Sequence, residues 1–309
     1  MSNPRRLYQI QSDLTQVPLG LPVLGCLTGF TDAGGTISQV TDNIFASLDT
    51  QLLVEFSNDE LLDFRSRRPV MFFERDHIIS YEPAILGLYL VHDDAGVPFL
   101  MLYGYEPDFK WDSFVKAVEE VFDLLAVSSF TWVHSIPFPL PHTRPVGITV
   151  SGNRQSLIEG HSEWKPSTQV PGNVLHLLEF ELTKTGLPFV GFVLLVPHYL
   201  GDSEYPQAAL TAFEKITAAT GIIFKTDPLR EELTRFLNKL NTQLTENADL
   251  QRMVQNLEAG YAGTELSLGQ ASLKRPELRV PSADEIAAEL EDFLASRRRH
   301  QDDNSDESN

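Results

Sequence analysis

Val23-Leu24-Gly25-Cys26-Leu27-Thr28, followed by Gly29-Phe30-Thr31-Asp32-Ala33-Gly34-Gly35, is the stretch on which the fold turns. The first six residues form a short apolar run, the mark of a buried strand. A glycine-rich turn follows. Ile37, Val40, Ile44, Phe45 and Leu48 then recur at helical spacing. Strand, turn and helix in that order make the first half of a βαβ unit.

Further strands are expected at Leu52–Phe56, Val70–Ile79, Ile85–Val91, Pro98–Tyr103, Phe130–Ile136 and Val146–Val150. Asp93-Asp94-Ala95-Gly96 is a turn signal that makes a hairpin of its two neighbours. Phe114, Val115, Val118, Val121, Phe122 and Leu125 share one helical face, with Asp112 or Ser113 as the cap. Asn173 caps a helix that Gly186 ends, and another helix runs from Ala208 to Ala219 before Gly221. Residues 151–172 are polar and irregular, as functional loops often are. Phe189–Val196 lacks all polar alternation, so it is expected at the centre of a mostly parallel sheet, covered on both faces. The alternation of strands and helices predicts a three-layer α/β/α sandwich over residues 1–227.

After Pro228 the pattern changes. Leu229, Leu233, Phe236, Leu240 and Leu244 form a narrow stripe with charged shoulders, which predicts a helical hairpin or one long helix over 228–262. Such a seam suits a helix–helix contact with a second copy; packing on its own domain is the other reading. Residues 263–281 read as a linker, 282–296 as a short amphipathic helix and 297–309 as a disordered tail.

Charge and composition exclude several classes. The chain has 309 residues and a formal charge of −19, which disfavours binding to nucleic acid or to an anionic membrane. Cys26 is the single cysteine, so neither an internal disulfide nor a cysteine zinc cluster can form. No apolar run reaches the ~20 residues of a membrane span, and no signal peptide is recognisable, so a cytoplasmic location is expected. Phosphate-loop, dinucleotide, zinc-protease and nucleophile-elbow motifs are all missing. Neither a metal nor a cofactor is expected.

Ligands in open α/β sheets bind outside the carboxyl ends of the strands. The candidates there are Asp32, Gly34 and Gly35 in the first turn, His134 at a strand end, and His142 and Arg144 in the proline-rich loop. Gly172, Asn173 and His198 complete the set. Glycine amides at a helix N-terminus favour an anion, but Asp32 can itself satisfy that terminus. The sequence is consistent with both readings. No pair among these residues forms a recognisable nucleophile and base, so no hydroxyl nucleophile is expected within ~3.2 Å of a histidine nitrogen.

Gly29-Phe30-Thr31-Asp32-Ala33-Gly34 resembles the first-strand signature of the proteasome assembly chaperone 2 family. Its actinobacterial branch is resembled by Asp63-Phe64-Arg65-Ser66-Arg67-Arg68-Pro69, by the run from Ser135 to Pro145, and by Val196-Pro197-His198-Tyr199-Leu200. Leu257-Glu258-Ala259-Gly260-Tyr261 is similar to the family's closing helical motif. The resemblance implies a fold like that of purine nucleoside phosphorylases and a role in protein contacts with no catalytic residues. It makes a non-catalytic, chaperone-like protein the leading expectation, with a protein partner and a homo-oligomer, a trimer by fold analogy. The alternative is a phosphorylase-like enzyme or binder of a small anionic or nucleoside-type ligand.

Overall fold

A computed structural model describes residues 7–161 and 169–264. In chain order the strands and helices begin with β1 (Tyr8–Ile10), β2 (Pro22–Thr28), α1 (Thr36–Ser47), β3 (Asp49–Phe56) and α2 (Asn58–Leu61). β4 (Val70–Glu74), β5 (His77–Glu82), β6 (Gly87–His92), β7 (Pro98–Tyr105) and α3 (Trp111–Leu124) follow. The second half holds β8 (Ser129–Phe138), β9 (Gly147–Gly152), α4 (Gln155–His161), α5 (Val174–Leu182) and β10 (Phe189–Pro197). It closes with α6 (Pro206–Thr220), α7 (Asp227–Glu246) and α8 (Ala248–Thr264).

Eight strands form one sheet in the order β1-β3-β6-β7-β2-β8-β10-β9. β7, β2, β8 and β10 are mutually parallel, and β3 runs the same way, so five of the eight strands share a direction. The antiparallel strands β1, β6 and β9 lie in the flanks. Two apolar layers cover the sheet. One packs Ile37, Val40 and Ile44 of α1 with Ala208, Ala212 and Ile216 of α6. The other packs Phe114, Val118 and Val121 of α3 with Leu175 and Leu178 of α5. This is the three-layer α/β/α sandwich expected from the sequence.

β2 sits inside the sheet because Val23, Leu24 and Cys26 are apolar on both faces, and each is fully buried. β10 is buried in the same way, but it is second from the sheet edge, between β8 and β9, rather than central. Its lack of polar alternation records helices on both faces, not its rank among the strands. Gly191 of β10 stands opposite Trp132 of β8. A Cβ at Gly191 would lie 2.3 Å from the indole, so only glycine lets the fully buried ring cross the strand.

Three other expectations change. Val70–Ile79 is not one strand. β4 and β5 fold back on each other as a separate two-stranded ribbon, with Arg75 in the left-handed region (φ 55°) at its tip. No glycine or asparagine marks that turn, so the apolar residues on either side read as one continuous strand. Neither Asp112 nor Ser113 caps α3. Lys110 is its N-cap, at φ 58° and without a side-chain cap bond. Within 151–172, residues Gln155–His161 form α4.

Asn173 caps α5 as expected: its Oδ1 accepts from the His176 N–H (2.8 Å), while the Asn173 N–H donates to His176 Nδ1 (3.3 Å). α5 ends at Leu182, and Gly186 lies in the turn beyond. The turn before β7 is clamped by Asp93, which accepts N–H bonds from Ala95, Val97 and distant Ile223. α7 packs on α6 and turns the apolar stripe inward. Leu229 and Leu240 are buried; Leu233, Phe236 and Leu244 pack partly buried on the same core, with Phe236 5.5 Å from Tyr205. A second copy could use this seam only by displacing the helix from its own domain. The first two residues of the linker expected at 263–281 belong to α8. The rest of that linker, the helix at 282–296 and the tail at 297–309 fall outside the described residues. Among the described residues, no helix is long and apolar enough to cross a membrane.

Candidate functional site

The turn after β2 is held from every side by the chain itself. Asp32 Oδ1 accepts from the Ile37 N–H (2.7 Å), and Oδ2 accepts from the N–H and hydroxyl of Ser38 (3.0 and 2.7 Å). The carboxylate thus caps α1. The Gly34 N–H donates to the Gly201 carbonyl (2.8 Å), and the Gly35 N–H donates to the Asp32 carbonyl (3.0 Å). Both amides that could meet an anion already have partners. Gly34 adopts φ 71°, and a Cβ there would press on Tyr205 and Val196 at 3.1 and 3.2 Å, so the close packing of α6 requires glycine.

Beside this turn lies the first group of candidates. His134 is 3% exposed and stacks on Phe30, with ring centroids 5.3 Å apart. Thr31 Oγ1 is 3.0 Å from His134 Nε2, so the expectation of no hydroxyl near a histidine nitrogen does not hold. Thr31 also donates to the Ser135 carbonyl (3.1 Å). A carbonyl can only accept, so the hydroxyl proton goes there and the imidazole donates from Nε2. This is the reverse of the polarity that activates a nucleophile. Burial, reinforced by neighbouring His176, pushes the His134 pKa down to about 4 against the pull of Asp32. Ser135 donates to Asp32 Oδ1 (3.3 Å), not to a histidine.

The second group lies under α8. The Tyr199 hydroxyl accepts from the His142 backbone N–H (2.8 Å) and is hydrogen-bonded to His142 Nδ1 (2.6 Å). Burial lowers the His142 pKa, partly offset by Glu258. Thr143 donates to that glutamate, and the Arg144 guanidinium lies 5.3 Å from the Tyr261 ring centroid. The closing helix therefore takes up the loop's polar groups. His198 is exposed, its ring set edge-on to Tyr199. Asn173 faces the first group through His176, while Gly172 is exposed in the loop before it. The candidates thus form two separate groups. Among the described residues, no cluster of three His, Cys, Asp or Glu could hold a metal.

A family model described as the PAC2 family matches residues 26–244, through most of the described chain. The chain belongs to the PAC2 family. A Mycobacterium tuberculosis protein of unknown function is similar over 85% of this chain and 93% of its own, at 34% identity and a TM-score of 0.77. A Corynebacterium glutamicum protein of unknown function covers 84% and 98% respectively, at 31% identity and a TM-score of 0.78. A Mycobacterium tuberculosis proteasome-assembly chaperone homologue shares the fold at 19% identity and a TM-score of 0.68, over 76% of this chain and 100% of its own. No curated protein matches the sequence.

This PAC2 chain carries two features that sequence reasoning missed. The first is the β4–β5 ribbon, on which Val70, Met71, Phe72, Phe73, Ile78 and Ile79 are each about half exposed or more, from 49% to 67%. The second is a cleft of about 730 Å³. The carboxyl ends of β2 and β7, the side of α1 and the two legs of the ribbon enclose it. Phe45, Tyr89 and Tyr103 supply its aromatic lining, and Asp42 of α1 and Arg68 before the ribbon are among its charged residues. The signal for both features was the seven-residue run Asp63–Pro69 leading into an apolar stretch that the main sheet has no room for.

Proposed function

We propose that this PAC2 protein works without catalysis, as a chaperone-like protein that acts through protein contacts and self-associates. The observation that carries the reading is the ribbon. A two-stranded hairpin is marginal in water without cover, and exposed apolar patches of a few hundred Å² mark interaction sites. Here both faces carry exposed apolar side chains, and both edges lie outside the main sheet. The half-exposed side chains present on the order of 700 Å² in all, near the ~800 Å² per partner of a stable interface. The likeness to a proteasome-assembly chaperone homologue supports a protein partner, with proteasome components the class to examine. A homotrimer is the assembly the fold suggests, and the cytoplasm the expected location.

The experiment is sedimentation of the full chain against Phe72→Asp/Phe73→Asp. Both side chains are exposed, so the fold is unaffected. The wild-type chain sediments as an oligomer at micromolar concentration and the variant as a monomer. A monomeric wild-type chain, or a variant with the wild-type oligomer, overturns the ribbon as the contact.

A further inference from the structure

We propose that the cleft between α1 and the legs of the ribbon binds a free α-amino acid with an aromatic side chain. Its ring would rest on Phe45, Tyr89 and Tyr103, its carboxylate at Arg68 and its ammonium at Asp42. Nothing in the chaperone-like reading requires this site, and the two can fail independently.

The position is the first argument. The cleft opens at Thr28 and Tyr105, the last residues of the parallel neighbours β2 and β7. Ligands of open α/β sheets bind at such strand ends, in clefts of ~300–1,000 Å³. The volume of about 730 Å³ falls inside that range.

The floor is the second. Phe45 meets Tyr89 at 5.3 Å and Tyr103 at 4.7 Å between ring centroids, and the two tyrosines lie 6.2 Å apart. Burial pushes the Tyr89 phenol up to about 12 and raises Tyr103 as well, so the floor stays uncharged at neutral pH. A three-ring floor of this kind fits another ring edge-to-face or offset.

The charges are the third. Arg67 is fixed: it is paired with Asp108 and lies 5.2 Å over the Tyr105 ring. Arg68 next to it is exposed and makes no ion pair among the described residues. Asp42 is also exposed and without an ion pair there, yet close enough to Tyr103 to raise its phenol. Opposite charges facing one cleft normally close on each other. Here they form no ion pair with each other, which leaves both for a ligand that carries one charge of each sign on the same carbon. Glu82, on the second ribbon leg, is the other carboxylate of the lining.

The test is calorimetric titration of the full chain with L-tryptophan, tryptamine, indole-3-propionate and L-alanine. These probes remove in turn nothing, the carboxylate, the ammonium and the ring. L-Tryptophan binds saturably, and each of the others is weaker by about tenfold or more, as expected for one lost charge-assisted contact or one lost ring. Arg68→Ala weakens L-tryptophan but leaves tryptamine unchanged. Asp42→Asn weakens L-tryptophan but leaves indole-3-propionate unchanged, and Glu82→Gln leaves L-tryptophan unchanged. Titration with L-alanyl-L-tryptophan separates a free amino acid from a peptide C-terminus, and the free amino acid binds more tightly. No saturable heat from L-tryptophan up to ~10 mM overturns the proposal. So does affinity for tryptamine and indole-3-propionate equal to that for L-tryptophan, tighter binding of the dipeptide, or indifference of L-tryptophan to both Arg68→Ala and Asp42→Asn.

Discussion

Glu179 of α5 accepts the indole N–H of Trp132 at 2.8 Å, across the junction of helix and sheet. The same oxygen accepts from the Ser151 hydroxyl at 2.8 Å, so one carboxylate joins β8, β9 and α5. Burial raises its pKa, and the two hydrogen bonds only partly oppose that rise. The folded state therefore holds the Glu179 proton to higher pH than the unfolded chain does. The stability this group contributes is full below its unfolded pKa and is lost as pH rises through the folded value. Glu179→Gln keeps an acceptor oxygen and removes the titration. Its melting temperature relative to wild type should rise between pH 4 and pH 8 in a thermal scan, and a constant difference would count against a buried ionisable Glu179.

His134 gives a dependence of the opposite sign. Its folded pKa of about 4 lies below the ordinary value of 6.5. The unfolded chain takes up the proton first, so stability is full above pH 6.5 and falls as pH drops toward 4. Denaturant midpoints for His134→Gln should show a shallower fall over that window than wild type. An NMR titration placing the imidazole near 6.5 would remove the basis of this prediction.

Asp32→Ala removes the acceptor for two backbone amides and one hydroxyl at the start of α1. Loss of an N-terminal cap costs about 0.5–2 kcal/mol, and the contact to Ser135 goes with it. Asp32→Asn, which keeps an oxygen on the same atoms, should recover part of the loss. Urea unfolding measures both, and equal midpoints for wild type and Asp32→Ala would show that the cap contributes nothing.

Gly191→Ala places a Cβ 2.3 Å from the Trp132 ring. Overpacking of this kind costs typically 1–3 kcal/mol, and here it should reach about 3, because the ring is fully buried and has no room to move. Trp132→Leu in the same chain should relieve much of the added cost, so the two losses combine to less than their sum. Strict additivity in a double-mutant cycle would mean that the two positions do not meet.

The central sheet and its layers were legible because β2, α1, β6, β7, α3 and α6 each carry a full period of apolar residues or a strong turn signal. β1 was not, because three residues at an edge, with Gln9 and Ile10 exposed, leave no pattern. The ribbon was misread because its apolar residues point to no core, while periodicity counts every apolar side chain as buried. At the site, the cap by Asp32 and the cap by Asn173 are local and could be read from order alone. The hydrogen bonds between Thr31 and His134 and between Tyr199 and His142 join residues 103 and 57 apart in sequence, and only the sheet order brings them together. Asp42 and Arg68 escaped notice for the same reason.

The order of the strands has a consequence for synthesis on the ribosome. The first 105 residues contain β1, β3, β6, β7 and β2, which are consecutive neighbours in the sheet. This half can begin to pair while the rest is still being translated, since synthesis delivers the N-terminal segments first. Until Ser129–Phe138 arrives, however, β2 presents a bare parallel edge, the kind of template that recruits foreign strands. The nascent chain is thus most open to misassembly after β7 has emerged from the ribosome and before β8 follows it, and a pause in that interval would lengthen the exposure.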